Sequence, residues 1–320
     1  LHAQSPFRFK DEWARVLAGD DEGIYGWVAA NYATGALGPL SRGNAARLLG
    51  VVELGGASAQ VTMLVPPRKP GVPPPNGGGA PAAPVVPVKV GNLDVDLFTH
   101  SWLGFGQEAA QAEALRIATA GGSKESPCLP QGYTTKGGVI GTGDYEGCRR
   151  LANRVVGSPK ACGGPHCLNG LVVPELSGAF LATENFFYTG EFFRLRADAP
   201  PIEFERVGKA YCSESWDSVQ KRYNEVPEKD LLKYCFSTSY IGAMLNNLGF
   251  ADPYGTTSHA VDALFTGGAR ELGKGLRVVR VGDDDALLPA TIDCLAEGEC
   301  GTTTTAPDPL LDWVYKPREA

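Results

Sequence analysis

The sequence predicts a fold that combines strands and helices, of the α/β class, and three observations carry that prediction. Leu48 to Val65 (LLGVVELGGASAQVTMLV) reads as strand, tight turn, strand: an apolar run to Val52, Glu53 closing it, Gly55 and Gly56 at the break, and a second β-prone run ending at Val65. Val95, Leu97 and Thr99 alternate with polar positions, as on one face of a strand. Gln107 to Ala120 (QEAAQAEALRIATA) and Lys229 to Leu248 (KDLLKYCFSTSYIGAMLNNL) read as helices closed by Gly121 and Gly249. In the second helix Leu232, Phe236, Tyr240 and Met244 repeat at i, i+4 and predict a buried face.

Residues 9–18 (FKDEWARVLA) predict a short amphipathic helix stopped by Gly19. Asp20, Asp21, Glu22 and Gly23 follow, and then Ile24 to Tyr32, where Trp27 and Tyr32 read as core aromatics. Residues 66–88 are rich in Pro and Gly and predict a mobile surface loop that cannot pack a core. Arg149 to Val156 is helix-like, and Cys212 to Tyr223 reads as a helix and then a loop. The aromatic-dense stretch Gly178 to Phe193 (GAFLATENFFYTGEFF) should be mostly core. Gly275 to Gly282 reads as a strand, and Asp283, Asp284 and Asp285 as a solvated acidic loop.

Composition narrows the class. A chain of 320 residues with 43% hydrophobic content builds a real core, as one large domain or two smaller ones. A net charge of −7 argues against nucleic-acid binding through a basic surface. An acidic protein that handles phosphates needs a divalent cation to screen them. No run reaches the ~18 apolar residues of a membrane span. The start at Leu1, without Met and without a signal-peptide pattern, reads as that of a fragment or processed product. All eight cysteines (Cys128, Cys148, Cys162, Cys167, Cys212, Cys235, Cys294 and Cys300) lie beyond residue 120, which favours disulfides in an oxidising compartment. The rival is a zinc site at Cys162, His166 and Cys167, whose spacing is not that of a zinc knuckle.

The hairpin carries chemistry as well as structure. Paired glycines allow φ > 0 and leave no side chain above the turn, so backbone N–H groups can approach an anion. Glu53 just before the turn can hold a metal or its water, and Ser58 and Gln60 just after it can orient a small nucleophile. The competing reading is an ordinary Gly-Gly hairpin. Glu22 likewise has two readings, a catalytic carboxylate or a carboxylate favourable to a helix dipole. A serine-hydrolase reading fails, because GGASAQ is not GxSxG and runs on into a strand.

Two segments resemble signatures of the apyrase family, the nucleoside triphosphate diphosphohydrolases. Asp21 to Tyr32 (DEGIYGWVAANY) is similar to its third signature, and Leu48 to Val65 to its fourth, DLGGAS-T/A-Q, with Glu53 in place of Asp. His100 to Gly106 (HSWLGFG) resembles a segment near the nucleotide base, with Gly104 where many members have Cys and Gln107 where some have Arg. The resemblance implies an actin/hexokinase-like (RNase-H-like) α/β ATPase lobe, a mixed sheet flanked by helices, with a disulfide-bonded, aromatic-rich insertion. It implies Glu22 as the base and Ser58 as the group that orients the attacking water. It further implies Glu53 and Gln60 on the water shell of Ca²⁺ or Mg²⁺, and Gly55, Gly56 and Ala57 along the phosphate. Tyr188 and Tyr234 would stack on the base, a contact that tolerates any base.

The pairings it implies are Cys128–Cys148, Cys162–Cys167 and Cys212–Cys235, leaving Cys294 and Cys300 to each other. Residues 1–250 resemble the second, C-terminal lobe of a plant-type member, while 251–320 form an irregular segment whose LLDW loosely resembles the last signature. The first lobe's DAGSSGTR-like phosphate loop and ATAG-like partner are not in this sequence. The implied activity is hydrolysis of nucleoside di- and triphosphates. The alternatives are an inactive or partial nucleotide-binding lobe, or a sugar-kinase relative. The implied place is the secretory pathway, Golgi or extracellular, with any membrane attachment through termini outside this chain.

Overall fold

The computed structural model describes residues 14–34, 36–37, 48–65, 84–90, 93–157, 162, 166–174, 176, 178–196, 199 and 201–250. At its centre is a five-stranded mixed sheet of β1 (Gly50–Leu54), β2 (Ser58–Leu64), β3 (Val85–Val90), β4 (Leu93–Leu103) and β9 (Phe180–Glu184), in the order β3-β4-β2-β1-β9. β1 to β4 pair antiparallel, and β9 returns parallel to β1. Two small two-stranded sheets lie outside it: β5 (Glu125–Ser126) with β6 (Ile140–Gly141), and β7 (Cys167–Leu168) with β8 (Leu171–Val172). Asn169 and Gly170, both at positive φ, make the β7–β8 turn, as an Asn-Gly hairpin requires.

Helix α1 (Gly19–Ala33) covers one face of the main sheet. Trp27 and Ile24 pack there with Leu48, Val51, Val88 and Leu97. The other face, through Val52, Leu54, Val61, Met63, Phe98 and Trp102, joins the larger core. That core is built with α2 (Gln107–Ala118), α3 (Tyr145–Val156), α4 (Asn185–Phe192), α5 (Pro201–Cys212) and α8 (Tyr234–Leu248), while α6 (Trp216–Arg222) and α7 (Glu228–Leu231) are shorter. The period-2 alternation of strand side chains does the sorting. Ala59, Val61 and Met63 face the larger core, while Ser58, Gln60 and Thr62 face α1. Disulfides Cys128–Cys148, Cys162–Cys167 and Cys212–Cys235 are formed, as the resemblance implied. Among the described residues no cluster of His, Cys, Asp or Glu is arranged to hold a metal, and no helix is long and apolar enough to cross a membrane.

Several sequence expectations change. Residues 14–18 are not helical, and Gly19 opens a helix instead of ending one. The reason is packing: a Cβ at Gly19 would stand within 2.5 Å of Ser101 Cβ, and one at Gly23 within 3.0 Å of both Thr62 Oγ1 and Thr99 Oγ1. Glycines four apart let α1 press onto the sheet. Tyr32 is 46% exposed, because the buried stripe of α1 runs through Gly23, Ile24, Trp27 and Asn31. Val85 already begins β3, inside the stretch predicted as a loop, while residues 66–83 of that stretch lie outside the described residues. Pro87 is tolerated there because β3 is an edge strand.

Further along, helix α3 starts at Tyr145, ahead of the predicted Arg149. The stretch Pro201–Cys212 is a helix that ends where one was predicted to start. The long predicted helix from Lys229 breaks before Tyr234. At the break the carbonyls of Leu231 and Leu232 accept from Tyr211 Oη (2.7 Å) and Gln111 Nε2 (3.1 Å). Beyond it α8 is buried on all sides rather than on one, and Leu232 of the predicted stripe is only half-buried. In the aromatic stretch Phe180 and Phe186 are core, whereas Phe187, Phe192 and Phe193 are half-buried. Cys294, Cys300, the strand predicted at 275–282, the acidic run 283–285 and the LLDW segment lie outside the described residues.

Candidate active site

Strand register brings the predicted residues together. Gln60 pairs with Glu53 on one side and with Ser101 on the other, and Glu53 pairs with Thr183. Paired residues share a face, so Ser101, Gln60, Glu53 and Thr183 form a row across the sheet on the α1 side. Ser58, two residues before Gln60, lies on that same face.

Helix α1 supplies the last member. Glu22 sits in its first turn beside Asp20 and Asp21, where a carboxylate is favoured by the helix dipole. The glycine contacts bring this turn down on the sheet. Gln60 Nε2 donates to Glu22 Oε2 at 2.7 Å and lies 3.0 Å from Ser58 Oγ and 3.1 Å from Ser101 Oγ. Glu22 and Ser58 therefore flank one amide nitrogen. An ionised Glu22 sets that amide's orientation, because the nitrogen must face it. Gln60 Oε1 is then left buried with no partner among the described residues. Asp20 Oδ1 accepts from the Ser101 N–H at 2.8 Å and fixes the start of α1 on β4. Asn31 fixes its end: Nδ2 donates to the Trp27 and Leu49 carbonyls, and Oδ1 accepts from the Leu49 N–H at 2.7 Å.

Glu53 lies on the same face of the sheet, beside α1. A Cβ on Gly26 would stand 3.6 Å from Glu53 Oε2. Burial, and then the charges of Glu22 and Glu184, push the Glu53 carboxyl from 4.5 up to about 7. Sequence reasoning missed Glu184. It ends β9 at φ 58, a left-handed backbone that a non-glycine residue adopts at a cost of roughly 1–3 kcal/mol. The next residue, Asn185, donates through Nδ2 to the Leu54 carbonyl at 2.8 Å and so ties the start of α4 to the end of β1.

The glycine corner differs from the expectation in one respect. Neither Gly55 nor Gly56 is among the positive-φ glycines. The last paired residues are Leu54 and Ala59, which leaves four residues, Gly55 to Ser58, in the turn, so the left-handed geometry of a two-residue turn is not required. Close approach requires glycine instead, and most severely at Gly106, which the sequence reading passed over. A Cβ there would meet the backbone of Gly56, Ala57 and Ser58 at 2.4–2.5 Å. The corner docks on the start of α2: Gln107 N–H donates to the Gly55 carbonyl, Glu108 and Ala109 N–H to the Gly56 carbonyl, and Gly104 N–H to the Ala57 carbonyl. These bonds occupy the first donors of α2. Gly56 and Ala57 are exposed, and among the described residues no carbonyl takes their N–H groups. Gln107 is buried beneath the corner, its side-chain amide without a partner among the described residues.

The two tyrosines are not presented alike. Tyr188 is 42% exposed on α4, in edge contact with Phe187. Tyr234 is 7% exposed, and its ring is stacked on Phe192.

Residues 1–259 match the GDA1/CD39 (nucleoside phosphatase) family. Probable apyrase 5 of Arabidopsis thaliana is 37% identical over 282 residues, which cover 77% of this chain and 54% of that protein. Ectonucleoside triphosphate diphosphohydrolase 1 of Mus musculus is 28% identical over 283 residues, covering 77% of this chain and 53% of its own length. A crystal structure of nucleoside triphosphate hydrolases from Neospora caninum aligns with a TM-score of 0.49 and 14% identity, over 75% of this chain and 58% of that one. The chain spans about half the length of the curated relatives it matches. By the extent of the family match and by its identity to plant apyrases, the chain belongs to the GDA1/CD39 (nucleoside phosphatase) family.

Proposed function

We propose that this chain is the second lobe of a nucleoside tri- and diphosphate phosphohydrolase, which releases orthophosphate by in-line attack of water on the terminal phosphorus. The observation that carries the reading is the sharing of Gln60 Nε2 by Glu22 and Ser58, at 2.7 and 3.0 Å. One water between the two would have a base on one side and an orienting hydroxyl on the other. Glu22 accepts the water's proton, and Ser58 holds the oxygen without being phosphorylated. The exposed N–H groups of Gly56 and Ala57, whose carbonyls are committed to α2 and Gly104, meet the phosphate oxygens, with Gly55 at the base of the corner. Positioning and charge neutralisation do most of the catalysis.

The residues fit a hard divalent cation, Ca²⁺ or Mg²⁺. Gln60 Oε1 is a buried acceptor with no partner among the described residues, and burial and two neighbouring carboxylates disfavour the Glu53 anion, an arrangement a cation relieves. Glu53 and Gln60 would hold such an ion through its waters. When bound, the ion supplies charge neutralisation at the phosphate oxygens. Glu53, in place of the family's Asp, reaches one methylene further. Tyr188 and Tyr234 are assigned to the nucleobase. We assign the protein to the secretory pathway, Golgi or extracellular, a reading that the disulfides among the described residues support.

The test is phosphate release from ATP, UDP and GDP with Ca²⁺, with Mg²⁺ and with chelator. Cation-dependent release that Glu22→Ala abolishes, with the protein still folded, supports the reading. Turnover unchanged in Glu22→Ala refutes the base assignment. Nucleotide binding without turnover leaves the second reading, an inactive or partial nucleotide-binding lobe.

A further inference from the structure

The rings around Tyr234 do not stand as an open platform would. Phe192 lies parallel to Tyr234 with ring centroids 3.6 Å apart and planes 11° apart. Two further rings of the described residues stand edge-on to it, Phe193 at 5.8 Å and 74° and Tyr211 at 6.3 Å and 89°. Lys233 Nζ, paired with Asp230, stands 5.5 Å from the ring centroid. The parallel contact is thus the one that a flat heterocycle can replace like for like. Phe192 is also suited to leave. It is half-buried and is the last residue of an eight-residue helix, followed by a reversal through Arg194 at φ 53. It lies one helical turn beyond the exposed Tyr188, on the same side of α4. A base held between Tyr188 and Tyr234 would need the space that Phe192 fills.

We infer that Phe192 holds the face of Tyr234 on which a nucleobase stacks, so that base recognition is an exchange of one ring for another and Phe192 sets its strength. The inference rests on the base-stacking role proposed above for Tyr188 and Tyr234. Phosphate contacts lie at the glycine corner and do not pass through Phe192. Binding of the base is taxed by the stack it displaces, while binding of a base-free polyphosphate is not.

The experiment measures equilibrium binding to the full chain, with Mg²⁺, of a non-hydrolysable ATP analogue and of inorganic tripolyphosphate. The variants are Phe192→Leu, Phe192→Ala, Tyr234→Ala and Phe192→Leu/Tyr234→Ala. Phe192→Leu keeps an apolar side chain of similar bulk, and far-UV circular dichroism with a thermal melt certifies the fold. The nucleotide analogue should bind about threefold to tenfold more tightly to Phe192→Leu. Tripolyphosphate should not change, and Tyr234→Ala should cancel the gain. If Phe192→Leu leaves nucleotide affinity unchanged or weaker while Tyr234→Ala weakens it in the wild type, the base uses an open face and the exchange is overturned. If Tyr234→Ala has no effect in either background, or no variant binds the nucleotide better than tripolyphosphate, the base-stacking reading fails and the exchange falls with it.

Discussion

Gly106→Ala tests how tightly the glycine corner, proposed above to meet the phosphate, is seated. The added Cβ would stand 2.4 Å from Gly56 C and Ser58 N and 2.5 Å from Ala57 C. Carbon atoms pack at ~3.5–4.0 Å, so the corner and the start of α2 must part by about 1 Å. All three atoms are backbone, and no side chain can swing aside. Overpacking of this kind costs ~1–3 kcal/mol, or a fall of about 2–10 °C in Tm for a protein of this size. The catalytic consequence is larger, because Ser58 moves with the corner: a displacement of ~1 Å costs on the order of a hundredfold in kcat. Thermal melts and phosphate-release kinetics read the two effects separately. Gly104→Ala is the control, since nothing lies within 4 Å of its Cβ position and only the φ of +88 is strained. It should destabilise without the large loss of rate. A Gly106→Ala protein that melts with the wild type and keeps its rate would refute the close seating.

Three other substitutions probe separate joints. Glu53→Gln should stabilise the protein, and only above the ordinary carboxylate range. A carboxyl raised from 4.5 to about 7 is disfavoured as the anion in the fold, so the wild type loses stability as pH rises from 4.5 to 7 and the neutral amide does not. The full linkage would be about 3 kcal/mol, which partial solvent access reduces to about 1–2 kcal/mol; equal differences at pH 4 and pH 8 in chemical denaturation would contradict the cause. Asn31→Ala strands the buried Leu49 N–H and carbonyl and should cost about 2–3 kcal/mol in the same assay. Replacing Cys212 and Cys235 by Ala unties the end of α5 from the start of α8 and should cost about 2–5 kcal/mol.

Much of the site was legible because strand periodicity does most of its construction. Once Leu48 to Val65 is read as a hairpin, Glu53, Ser58 and Gln60 must share a face, and they do. The likeness of DEGIYGWVAANY to a known signature placed Glu22 near them, which composition and spacing alone could not. What stayed hidden depends on contacts between distant elements. Gly19 read as a helix stop because glycine usually is one; here it opens α1, since Ser101 of β4 leaves no room for a side chain. Gly106 carried no local signal, and its role exists only where α2 meets the corner. Asn185 looked like one polar residue in an aromatic run, and only the β1–β9 pairing brings the Leu54 carbonyl to it. Tyr234 came forward only through the resemblance, and the ring stacked on it, Phe192, reaches it from another helix.

A double-mutant cycle on phosphate release, with Glu22→Gln, Ser58→Ala and the two combined, tests the central arrangement most directly. If both side chains act on one water molecule, the double variant is about as slow as the slower single variant, and the two losses do not add. Losses that multiply in full would mean that Glu22 and Ser58 act at separate places, and the account would fail.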